Sequence, residues 1–169
     1  MPGLHCHGGD EGGGVTALIH SINEALAAGL VPVIHGDAGL YGSSAGILSE
    51  DTLVKIITMH KNINANQVLF LTDVAGVHTK DPNLFDDASL TRRIDIDPKP
   101  GNVMSNISAS GSSHEHDVTG GFVTKLGSAS KVALAGIDAM IAKCSSRSTE
   151  EAIHGDQMTE AGTIIRVQS

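Results

Sequence analysis

Apolar residues recur along this chain in two rhythms. Val15, Leu18, Ile19, Ile22 and Leu26 stand three or four positions apart, the spacing of one helix face, and Gly29 is placed to stop that helix. The short run Val31-Pro32-Val33-Ile34 predicts a strand, and the Gly- and Ser-rich stretch over residues 35–46 predicts turns. Residues 50–62 return to helical spacing, with Ser49 as candidate N-cap. Residues 67–72, QVLFLT, form a continuous apolar run, as expected of a strand buried on both faces of a parallel sheet. Residues 95–118 mix Pro, Gly, Ser and Asn without a period and read as a long excursion. A helix over 122–135 follows, stopped by Gly136, then a strand over 139–143. A short helix begins near Ser148, whose spacing to Glu151 is that of a capping box, and Gly155 is its stop. A strand over 162–167 closes the chain.

Helices and strands that alternate in this way predict an α/β fold with a parallel or mixed sheet. In such sheets ligands sit beyond the carboxyl ends of the strands. The polar, Gly-containing stretches HGDAG (35–39) and TDVAGV (72–77) follow predicted strands and fall at such ends.

Composition narrows the function classes. A chain of 169 residues is one domain's worth, with residues 1–14 a flexible, Gly- and His-rich start and 15–169 the folded part. The net charge of −8 argues against nucleic acid or an anionic membrane as partner, and no apolar run is long enough to span a bilayer. The first residues show neither a basic nor an apolar leader region, so no signal peptide is expected. Two cysteines, Cys6 and Cys144, make no disulfide framework, and a cytoplasmic setting is the expectation. His5, Cys6 and His7 are possible metal ligands but lack a second pair at zinc spacing, so no metal site is assigned.

The chemistry centres on residues 116–127, HDVTGGFVTKLG. Gly120 and Gly121 let successive backbone amides converge and a ligand approach closely. A helix is predicted just after them, with its positive dipole end in the same place and Lys125 in its first turns. That is the composition of a phosphate site, without the glycine spacing of a Walker loop. A turn followed by a surface lysine accounts for the same residues. Asp73, directly after the predicted strand, could accept from a ribose or hold a basic side chain, and an Asx-turn explains it more simply. Gly76 suits a turn. Asp51 could hold a lysine in place or merely complement a helix dipole.

The ordered set GLVPVIHGDAGL, GILSEDTLVK, VLFLTDVAGVHTKDP, HDVTGGFVTKL and AGTIIRV resembles the amino acid kinase superfamily, and within it the isopentenyl phosphate kinases. The resemblance runs from about Gly29 to Val167 and implies a three-layer αβα sandwich with a mainly parallel sheet. It implies transfer of a phosphoryl group from Mg-ATP to a small-molecule phosphate, isopentenyl phosphate becoming isopentenyl diphosphate in isoprenoid biosynthesis. Carried over by position, Lys125 lies on the ATP phosphates with Gly120 and Gly121 beside it. Asp73 and Gly76 belong to the nucleotide side, and Asp51 organises active-site lysines. Gly36 and Asp37 line the cleft on the substrate side. Glu50 replaces a glycine that contacts the acceptor, and its bulk and charge are expected to weaken a phosphate acceptor. The resemblance covers the C-terminal, nucleotide-binding part; the family's first strand, its Gly-rich loop with a lysine, and its acceptor-gripping histidine are expected to be missing. Two other readings follow: a nucleotide-binding remnant, and another superfamily branch such as a fosfomycin-type kinase. An uncovered sheet edge would favour a homo-oligomer.

Overall fold

A computed structural model describes residues 13–41, 44–80, 82, 84–97, 120–155 and 158–168. The chain divides into two compact units, Met1–Ala65 and Asn66–Ser169.

In the first unit, α1 (Gly13–Ala27) buries Val15, Ile19 and Ile22, against which Leu18, Ile34, Ile56, Ile57 and Ile63 pack. Leu26 completes the helical spacing in sequence yet stays 52% exposed. The helix ends where expected. Gly29 takes a left-handed φ of 73°, its N–H donates to the Leu26 carbonyl, and the Leu30 N–H reaches back to Ala25 at 2.9 Å. This pair of hydrogen bonds satisfies carbonyls the last turn would leave open.

The strand predicted over 31–34 does not form. Val31 and Val33 are 86% and 82% exposed, and only Ile34 of the run joins the α1 core. Apolar composition cannot make a strand without a hydrogen-bonding neighbour, and none lies alongside among the described residues. The ladder forms one step later, inside the stretch expected to be turns. There β1 (Asp37–Tyr41) pairs antiparallel with β2 (Ser44–Leu48), Asp37 opposite Leu48 and Tyr41 opposite Ser44. The intervening pair Gly42-Ser43 is the sequence signal for a hairpin. Next, α2 (Glu50–Thr58) starts at the predicted cap: the Ser49 hydroxyl accepts from the Thr52 N–H at 3.3 Å. It stops at Thr58, short of the predicted end at Asn62.

The second unit holds β3 (Gln67–Thr72), β4 (Arg93–Ile96), α3 (Gly120–Leu134), β5 (Asp138–Lys143), α4 (Arg147–Ile153) and β6 (Thr163–Val167). The four strands form one mixed sheet in the order β3-β5-β6-β4. Two of its three pairings are parallel, β3 with β5 and β4 with β6, while β5 and β6 run antiparallel. One face carries Val68, Phe70, Ala139, Ile141 and Ile165 toward α3, whose Ala129 and Ala133 let helix and sheet approach closely. The opposite face packs Met140 and Ala142, with Leu69 and Ile164, against Ala152 of α4 and Met158. Helix, sheet and helix make the three αβα layers. Among the described residues no helix is long and apolar enough to cross a membrane.

Three expectations change here. β3 buries one face fully, Val68 and Phe70, while Leu71 on the other is 40% exposed, because β3 is an edge strand of this sheet. Residues 95 and 96, read as the start of an excursion, end β4, where Ile94 and Ile96 are buried and alternate with Arg93 and Asp95. The capping box at Ser148 does not form. Ser146 caps α4, its hydroxyl accepting from Thr149 N–H at 3.3 Å. Ser148 is buried inside the helix and accepts from Ala161 N–H at 3.0 Å. Glu151 turns outward to the chain entering β6, accepting from the Thr159 amide and hydroxyl, both at 2.8 Å, and from Arg147 at 3.1 Å.

Hydrogen bonds from Thr159, then the Arg147 guanidinium, hold the Glu151 carboxyl below its ordinary range. A depressed folded-state value means the anchor contributes in full above the unfolded glutamate value of about 4.3 and fades as pH falls through the lower folded one. Glu151→Gln should therefore lower the melting temperature at pH 7, and the gap to wild type should close toward pH 3. Thermal melts across that range check this; a gap independent of pH contradicts it.

Candidate functional site

Parallel pairing sets Thr72 opposite Lys143, so β3 and β5 deliver their carboxyl ends to one edge of the sheet. The Cys144 N–H donates to the Thr72 carbonyl at 2.8 Å and extends that ladder by one step. α3 joins β5 through the short turn over 135–137, so it runs back along the sheet and its N-terminus lies at the same edge. Lys125, in the second turn of α3, confirms the placement: its ammonium stands 5.9 Å from the centre of the Phe70 ring, two residues before Thr72. The ring face attracts the cation and supports it at the strand end.

The helix begins at Gly120, so Gly120 and Gly121 form its first turn rather than a loop ahead of it. Their amides are among the first four of α3, which have no partner within the helix and face the edge with the positive end of the dipole. His116, Asp117, Val118 and Thr119 of the same motif lie outside the described residues. Asp73 leaves β3 exposed, and its carboxylate accepts from the Thr72 hydroxyl at 3.0 Å. Gly76 is buried, with φ of 149°; a Cβ there would stand 2.7 Å from the Thr163 hydroxyl oxygen. Packing of the loop onto β6 therefore requires glycine at that position.

The remaining candidates belong to the first unit. Gly36 and Glu50 are brought together: the Gly36 N–H donates to Glu50 Oε1 at 3.3 Å. A Cβ on Gly36 would lie 2.6 Å from the Leu48 carbonyl oxygen, so only glycine lets the chain enter β1 on this path. Asp37 opens β1 and pairs with Leu48 through the backbone, its side chain lying outside the described set. Asp51 is half-buried in the first turn of α2, beside Glu50. His5, Cys6 and His7 lie outside the described residues. Among the described residues no group of three or more His, Cys, Asp or Glu side chains is arranged to hold a metal ion.

Two participants carried no signal of their own. Phe70 read only as part of an apolar run. Thr163 read as a strand residue, although a polar side chain on the inward face of an apolar strand is a mark of a buried hydrogen-bond role. Chemically, the edge of the second unit gathers the Lys125 ammonium, the first-turn amides of a 15-residue helix and the exposed Asp73 carboxylate. That set suits a polyanion accompanied by a divalent cation, since Mg²⁺ keeps most of its waters and binds through one or two carboxylates plus phosphate oxygens.

An isopentenyl phosphate kinase of Arabidopsis thaliana is 31% identical over 165 residues, covering 89% of this chain and 49% of that protein. A glutamate 5-kinase of Citrifermentans bemidjiense is 29% identical over 122 residues, covering 72% of this chain and 31% of its own length. The chain thus spans about half the length, or less, of these curated relatives. A crystal structure of the Thermoplasma acidophilum isopentenyl phosphate kinase product complex superposes with a TM-score of 0.64 at 25% identity, over 96% of this chain and 57% of that one. Residues 13–143, most of the chain, match the profile described as Amino acid kinase family, and the chain belongs to that family.

Proposed function

We propose that this chain is the nucleotide-binding part of an ATP-dependent small-molecule kinase whose acceptor is a phosphate group, isopentenyl phosphate being converted to isopentenyl diphosphate. The observation that carries the reading is Lys125 standing over Phe70 where the N-terminus of α3 meets the carboxyl ends of β3 and β5. The names of the Arabidopsis and Thermoplasma relatives support the choice of acceptor. Phosphoryl transfer needs positioned positive charge more than covalent chemistry. Lys125 and the amides of Gly120 and Gly121 would take the ATP phosphates, and Asp73 would serve the nucleotide side together with Mg²⁺ that arrives on the phosphates. In the first unit, Gly36 and Asp37 would meet the acceptor. A cytoplasmic location goes with this reading.

A second reading, a nucleotide-binding protein that transfers phosphate poorly, is favoured by Glu50. Its carboxylate rests on the Gly36 amide and sets a negative charge on a donor that an acceptor phosphate would otherwise use.

A coupled ATP-consumption assay with isopentenyl phosphate should show turnover. Lys125→Ala should weaken Mg-ATP binding at least about tenfold by calorimetry, the size of one lost charge-assisted hydrogen bond. Binding that Lys125→Ala abolishes, without turnover in wild type, selects the second reading; no Mg-ATP binding by folded protein overturns both. Glu50→Gly should lower KM for isopentenyl phosphate, or its Kd where turnover is absent, by about tenfold, as expected when about 1.4 kcal/mol of like-charge repulsion is removed. An unchanged value means that Glu50 does not face the acceptor.

A further inference from the structure

The loop over residues 73–77 carries Asp73 away from β3, and three backbone points tie it down. The Gly162 N–H donates to the Ala75 carbonyl at 2.9 Å. The Thr91 N–H donates to the Val77 carbonyl at 2.7 Å. The Val77 N–H donates to the Thr163 hydroxyl at 2.8 Å, and that hydroxyl donates onward to the Thr91 carbonyl at 2.6 Å. One side-chain oxygen thus joins the loop after β3, the strand-entry residue ahead of β4 and the first residue of β6. The bond from Val77 is sealed from water, since Thr163 is 0% exposed and Val77 is 5% exposed, and the bond to Thr91 is partly buried. A Cβ on Gly76 would collide with the same oxygen. Thr163 pairs with Ile141 of β5, and two residues beyond Ile141 stands Lys143, opposite Thr72. The hydroxyl therefore fixes the loop relative to the strand ends at which Asp73 emerges.

We propose that Thr163 is a positioning residue for the nucleotide end of the site: its hydroxyl latches residues 73–77 so that Asp73 is presented beside the N-terminus of α3. The proposal rests on the reading of Asp73 as a nucleotide-side group. Valine at 163 keeps the branched shape and the strand preference but takes their partner from the buried Val77 N–H and the half-buried Thr91 carbonyl. Serine keeps the hydroxyl and loses only a methyl.

The test compares wild type, Thr163→Val and Thr163→Ser by amide exchange at Val77 and by Mg-ATP calorimetry, at a temperature where circular dichroism shows each to be folded. Thr163→Val should speed Val77 exchange and weaken Mg-ATP by at least about tenfold, the consequence of roughly 1.4 kcal/mol of lost loop order. Thr163→Ser should restore both toward wild type. Thr163→Cys, whose thiol fills the space but bonds weakly, supplies the same contrast where the valine variant does not fold. Slow Val77 exchange in the valine variant overturns the latch. Fast exchange with unchanged Mg-ATP affinity overturns the positioning role, as does a serine variant that behaves like valine. Wild-type protein that fails to bind Mg-ATP overturns the nucleotide reading itself, and the exchange data then still decide whether the latch exists.

Discussion

Strands that run parallel in one register bring both carboxyl ends to the same edge, and no tight turn can join them. β3 and β5 are such a pair, Thr72 standing opposite Lys143. The chain between them must cross over, and it returns to β5 through α3. A helix that leads into a strand through a short reversal must run against it. The N-terminus of α3 therefore comes to the edge where β3 and β5 end, and Lys125 comes with it. Pairing these strands antiparallel would have sent Asp73 and Lys143 to opposite edges.

Three polar side chains, of Thr163, Ser148 and Glu151, hold the loops of that edge. The Thr163 hydroxyl ties residues 77 and 91 together. Ser148 holds the Ala161 amide from inside α4, and Glu151 holds Thr159. Each removes a backbone group from solvent competition where the chain passes between regular elements, at which a loop would otherwise be loose. The scarcity of aromatics, 2% of the chain, gives Phe70 an uncommon place. Phe70 is only 3% exposed, and its ring meets the Lys125 ammonium.

Much of the second unit was legible because its signals are local. The runs at 67–72 and 139–143, and the helix stopped by Gly136, carry apolar pattern and stop residue within a few positions. Where partners lie far off, the sequence was silent or misleading. The VPVI run has strand composition and no ladder neighbour in the described structure. The stretch over 35–46 reads as turns because its glycines and serines hide a local pairing, the hairpin of β1 with β2. Ser148 has the spacing of a cap, but Ser146 sits where the helix starts, and burial makes Ser148 an acceptor for Ala161. At the candidate site, Lys125, Gly120, Gly121 and Asp73 were readable from glycine, charge and position after a strand. The support of Phe70 and Thr163 was not, because each acts through a contact between residues tens of positions apart.

The central claim is that nucleotide phosphates bind where the carboxyl ends of β3 and β5 meet the start of α3. Titrating Mg-ATP into isotope-labelled protein and following backbone amide shifts tests it most directly. The amides of Gly120, Gly121, Lys125 and residues 72–76 should move together along one saturable curve. Saturable binding that leaves those amides in place and moves another set contradicts it.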